Sequence, residues 1–203
     1  ASILDGNGTA GVITSTTSGY LASSVDGFTI QNGNKATLGG GDFGGGVYCR
    51  VTGPEIANNR IQDNVLGTYL SGDLAHGGGI ACYLSYVVIT GNTLEGNQVL
   101  NSFDGSGGGI YSNRSMPYIF ANSFIGNQAK RGSAVYCYGS EPRISGNLIR
   151  QNQLEITSMP YFGSSNGAVT LSLCKTFLVE NNIIAENIAA VGAGISSESF
   201  FAG

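Results

Sequence analysis

Two short motifs recur in fixed alternation along the chain, and their spacing leaves few folds open. The first is a glycine-rich step into a strand: Gly44-Gly-Gly-Val-Tyr-Cys49, Gly77-Gly-Gly-Ile-Ala-Cys82, Gly107-Gly-Gly-Ile-Tyr-Ser112, Gly132-Ser-Ala-Val-Tyr-Cys137 and Gly167-Ala-Val-Thr-Leu171, with Gly192-Ala-Gly-Ile195 opening a sixth. The second is Asn-x-(Ile/Leu/Phe)-x-x-Asn, at Asn59–Asn64, Asn92–Asn97, Asn122–Asn127, Asn147–Asn152 and Asn182–Asn187. The step from small residue to second Asn is 18 residues for Gly46–Asn64, Gly79–Asn97, Gly109–Asn127 and Ala134–Asn152, and 19 for Ala168–Asn187. The return is 15, 12, 7, 16 and 7 residues, so all length variation sits at one corner of a repeating unit. Stacked repeats vary in this way, with insertions emerging from one face.

Within each repeat the apolar residues alternate with period 2, which excludes helical repeats, and no Leu-x-x-Leu-x-Leu unit supports a leucine-rich repeat. Alternation assigns Val47, Ile80, Ile110, Val135, Val169 and Ile195 to one inward column. Ile56, Ile89, Ile119 and Ile144 form a second, and Ile61, Leu94, Phe124, Ile149 and Ile184 a third. The expected fold is all-β: a right-handed parallel β-helix of about six to seven coils, with three short strands per coil, forming a single domain over residues 1–203. The second-Asn column reads as a ladder of amides at one bend. Cys49, Cys82 and Cys137 share an inward position. Cys49 and Cys82 fall on adjacent coils, near enough for a bridge, but buried thiols are favoured.

Composition agrees: 33 Gly and 11% charged residues suit a chain that turns often, and 41% hydrophobic residues exclude disorder. The net charge of −4, with Lys and Arg scattered, gives no footprint for nucleic acid, and no apolar run reaches the length of a membrane span. The chain starts at Ala1 on what reads as the end of a strand, so it is expected to be a section without terminal caps. That predicts end-to-end self-association or packing against further domains of the same protein.

The glycine units, with Ser115-Met-Pro-Tyr-Ile119, Ser140-Glu-Pro-Arg-Ile144, Ile3-Leu-Asp-Gly6 and Asp26-Gly-Phe-Thr-Ile30, resemble the secreted bacterial right-handed β-helix repeat proteins of the pectin-lyase-like superfold. The resemblance implies an extracellular or cell-surface location. It does not fix a function, because that superfold hosts lyases, hydrolases, tailspikes and adhesins.

Two functional readings follow. The outward positions of the first strand hold Tyr48, Arg50, Tyr83, Tyr111, Tyr136 and Tyr138, an aromatic stripe suited to the faces of sugar rings. This is the binding reading, for polysaccharide, surface glycan or protein. In the enzyme reading, a polysaccharide lyase or glycoside hydrolase uses Asp42, Asp73 and Asp104, with His76 nearby, on the inserted-loop edge. No cofactor is otherwise expected; Ca²⁺ enters only if the chain is lyase-like, as the resemblance implies. The binding reading is preferred, because the first sheet carries mostly Tyr, Asn, Ser and Thr. Outward Val88, Tyr118, Phe120, Ile125 and Leu148 suggest a further apolar contact surface.

Overall fold

The computed structural model describes residues 2–16, 23–34, 42–67, 75–100, 104–155, 167–189 and 192–198, and among these there is no helix. Every strand pairing is parallel. Each sheet takes one strand from each successive repeat, so neighbours in a sheet are about one repeat apart in sequence.

The first sheet has seven strands: Ile13–Ser15, Val47–Arg50, Ile80–Tyr83, Ile110–Asn113, Val135–Tyr138, Val169–Ser172 and Ile195–Glu198. The second has six: Ser24–Asp26, Glu55–Ala57, Val88–Thr90, Tyr118–Phe120, Arg143–Ser145 and Leu178–Glu180. The third has seven, Ser2–Asp5, Phe28–Gln31, Arg60–Gln62, Thr93–Glu95, Ser123–Ile125, Leu148–Arg150 and Ile183–Ala185. Register holds the three aliphatic columns in line, as in Val47↔Ile80↔Ile110↔Val135, Ile56↔Ile89↔Ile119↔Ile144 and Ile61↔Leu94↔Phe124↔Ile149. Residues of all three sheets pack into one core, which also contains the fully buried Cys49, Cys82 and Cys137. All four cysteines are free thiols, and burial raises the pKa of Cys137 well above the ordinary thiol value.

Among the described residues, four of the repeats carry a fourth strand beyond the expected three. After the second Asn the chain stays extended, giving Val65–Gly67, Gln98–Leu100, Gln128–Ala129 and Gln153–Leu154, which form a fourth parallel sheet. The cause is an apolar residue two positions beyond that Asn: Leu66, Val99, Ala129 and Leu154 are all buried. Leu66, Val99 and Ala129 pack with Ala75 into a small core of their own.

Both Asn columns form ladders, where the sequence suggested only the second. Along Asn59, Asn92, Asn122, Asn147 and Asn182, each Nδ2 donates to the Oδ1 of the next at 2.8 to 3.1 Å. Along Asn64, Asn97, Asn127, Asn152 and Asn187 the distances are 2.9 to 3.0 Å. From the second rung on, each Oδ1 also accepts the backbone N–H of the preceding Asn, and on the first rungs Asn59 and Asn64 accept those of Phe28 and Gly33. The amides thus satisfy backbone groups that the bends turn away from the sheets. At a third bend Ser85, Ser115 and Ser140 act similarly, their hydroxyls accepting from the N–H of Thr52, Ser85 and Ser115.

The bends also impose left-handed backbone. One such column, just past the first sheet, is Val51 (φ 55°), Leu84, Arg114, Gly139 (φ 54°) and Leu173. A β-branched residue is strained there, and Gly139 shows that the column accepts glycine. Val51 is surface-exposed, so little packing is at stake. Val51→Gly is therefore expected to raise stability by about 1 kcal/mol in urea unfolding, steric relief outweighing the added chain entropy; a loss of stability would refute the strain.

Candidate functional site

On the face of the first sheet away from the core, two columns run across the strands. The inner one is Tyr48, Ala81, Tyr111, Tyr136, Thr170 and Ser196; the outer one is Arg50, Tyr83, Asn113, Tyr138, Ser172 and Glu198. The sequence-derived binding residues divide between them.

The inner column is covered. Tyr111 and Tyr136 are only 5% and 3% exposed, and with Ala81 they form a separate apolar cluster joined by Phe43, Tyr48 and Tyr138. Their rings stack at 5.8 Å with an interplanar angle of 2°. What covers them is the residue before each left-handed glycine. Phe43 and His76 come from the paired two-residue strands Asp42–Phe43 and Ala75–His76, and parallel bridges continue the line through Ser106 to Arg131. His76 stacks on Tyr111 at 4.3 Å, and the Arg131 guanidinium lies 5.8 Å from the Tyr136 ring centre and donates to its hydroxyl at 3.3 Å. Burial, and secondarily Arg131, lowers the His76 pKa to about 3, so the imidazole is neutral at physiological pH. Burial raises the pKa of Tyr111 and of Tyr136.

The outer column is more open except at Ser172, which is buried: Arg50 is exposed, and Tyr83, Asn113, Tyr138 and Glu198 are half-buried. Arg50 sits 5.9 Å from the Tyr83 ring centre. Asn113 donates to the Tyr111 hydroxyl at 2.8 Å, and Ser172 donates to Glu198 at 3.3 Å. Strands in a sheet lie about 4.8 Å apart, so the column offers one side chain per step, with Tyr83 and Tyr138 two steps apart.

Compared with family models, curated proteins and solved structures, the chain matches none.

Of the acidic candidates, Asp104 forms an ion pair with Arg131, beside the aromatic stack. Asp73 lies outside the described residues, as does the side chain of Asp42. Among the described residues no three His, Cys, Asp or Glu side chains come together in a metal-binding arrangement, and no helix is long and apolar enough to cross a membrane. Sequence reasoning singled out His76 as a companion to carboxylates; here it covers Tyr111. It overlooked Phe43 and Arg131, though each directly precedes a motif glycine, as His76 does.

The second apolar surface centres on the second sheet. Tyr118 is exposed, Val88, Phe120, Ile125 and Leu148 are half-buried, and Met116, Phe177 and Leu178 widen the exposed area around a shallow depression near Pro117 and Pro142.

Proposed function

We propose that the chain is a right-handed parallel β-helix module of an extracellular or cell-surface protein, and that it binds a glycan along the outer column of its first sheet. The β-helix reading rests on the parallel sheets that each take one strand per repeat and share a core. The observation that carries the binding reading is the register of Arg50, Tyr83, Asn113, Tyr138, Ser172 and Glu198 on a face already packed beneath by Tyr111 and Tyr136. Two tyrosines about 10 Å apart, separated by an amide, match the alternation of apolar ring faces and polar edges along a sugar chain running across the strands. Because the strands fix the side chains, little ordering remains to be done on binding. The lyase or hydrolase reading has less support, since Asp104 is engaged by Arg131.

A glycan array, followed by titration of the best ligand, tests the proposal. Replacing Tyr83 and Tyr138 together by Ala is expected to weaken binding roughly 30-fold, from about 1 kcal/mol per ring, without unfolding the chain. Unchanged affinity in the double variant, or no glycan retained at all, would overturn it.

A further inference from the structure

The cover over the inner column has an unusual composition. In that column Ala81 stands between Tyr48 and Tyr111, leaving a gap about two strand spacings wide, near 10 Å. Phe43 sits in the gap, its ring centre 6.0 Å from Tyr48, 6.1 Å from Tyr111 and 6.4 Å from Tyr83. His76 lies against Phe43 at 5.5 Å and flat on Tyr111, only 6% exposed, and its Nδ1 has no hydrogen-bond partner. A buried imidazole packed against two aromatic rings, with an unpartnered nitrogen, is well placed only while it is neutral.

We propose that Phe43 and His76 form an acid-released cover: protonation of His76 expels it from the stack, Phe43 leaves with it, and a ring-sized site opens over Ala81 between Tyr48, Tyr83 and Tyr111. As a place for a sugar ring the opened site rests on the function proposed above; the release itself does not.

The direction follows first from burial of the imidazole and then from the groups that face it. Arg131 is the cation on the same covering line, and it opposes a second positive charge. Asp104 faces Arg131 in an ion pair and partly offsets its charge. Tyr111 beneath and Tyr136 beyond it have raised pKa values and stay neutral in acid, while Phe43 and Ser106 carry no charge. With the buried imidazole at about 3 and a solvated one near 6.5, the open form binds the proton more tightly. Each pH unit lost between those values favours opening about tenfold, or about 100-fold at pH 4.5.

Hydrogen exchange followed by peptide, corrected for intrinsic rates, reads this directly. The Gly44 and Gly77 amides bond to the carbonyls of His76 (3.1 Å) and Ser106 (3.0 Å). Between pH 7 and pH 4.5 their protection is expected to fall up to about 100-fold, while peptide 119–127 in the Asn-laddered region keeps its own. In His76→Phe, or in His76→Gln if the larger ring does not fold, the fall should vanish. A flat profile in the natural chain, an equal fall in the variant, or an equal fall in peptide 119–127 would overturn the cover. Glycan titration forms a separate arm: affinity should rise at pH 4.5, and at pH 7 in Phe43→Ala. If exchange responds to acid but no glycan binds, the glycan reading fails and the cover stands.

Discussion

Asn127→Ala is expected to cost roughly 3 to 5 kcal/mol in urea unfolding, far more than a surface amide would. Asn127 is fully buried, and its Nδ2 donates to the Leu94 carbonyl and to Asn152 Oδ1, both at 2.9 Å. Its Oδ1 accepts the Asn97 backbone N–H and side-chain amide, both at 3.0 Å. Alanine strands the Asn97 N–H outright and takes one partner each from Leu94, Asn97 Nδ2 and Asn152. An unmade buried bond costs about 1 to 3 kcal/mol, and water has no route to replace it. Asn127→Asp should fare no better, since it keeps the acceptor but sets a carboxylate against Asn152 Oδ1. Asn187→Ala, at the partly exposed last rung, should cost under half as much. A loss below 1 kcal/mol for Asn127→Ala would show that the ladder contributes little.

Phe124→Ala is expected to lose about 3 to 5 kcal/mol, through lost burial and the cavity it leaves. Phe124 is among the largest fully buried side chains, and the rest of its column, Ile61, Leu94, Ile149 and their continuations Ile30, Leu4 and Ile184, is aliphatic. Phe124→Leu matches the neighbouring shape and should cost only about 1 kcal/mol. Unfolding curves for both variants at constant m-value test the pair. Equal losses would mean that this column tolerates no relaxation.

Much of this architecture is visible in the sequence because the repeat exposes it several times over. A single Gly-Gly-Val-Tyr-Cys says little, but the alignment of Val47, Ile80, Ile110 and Val135 by itself identifies an inward column. The fourth strand escaped because it is short and its buried residue varies from Leu66 to Ala129, so no conserved side chain announces it. The first-Asn ladder was hidden for a different reason: Asn59 and Asn64 are equally invariant in the motif, and only the bend geometry shows that both point inward. The covered face is the largest departure. Alternation correctly puts Tyr111 and Tyr136 away from the main core, yet it says nothing about Phe43, His76 and Arg131, which arrive from the preceding return segment to bury them.

The same regularity creates a hazard during folding. Ladder partners are 25 to 35 residues apart, and every rung looks like every other. A chain that skipped one repeat would still join its asparagines and align its aliphatic columns, so those features cannot tell neighbour from next-neighbour. The irregular positions can. Ser112 among the cysteines meets Ser140 at 3.1 Å, Ala81 among the tyrosines receives Phe43, and Phe124 stands among smaller aliphatics. Each acts as an address that only the correct neighbour satisfies. Replacing them with the commonest residue of their columns would make the units more alike and, by the same change, increase the share of chains trapped in a shifted stack.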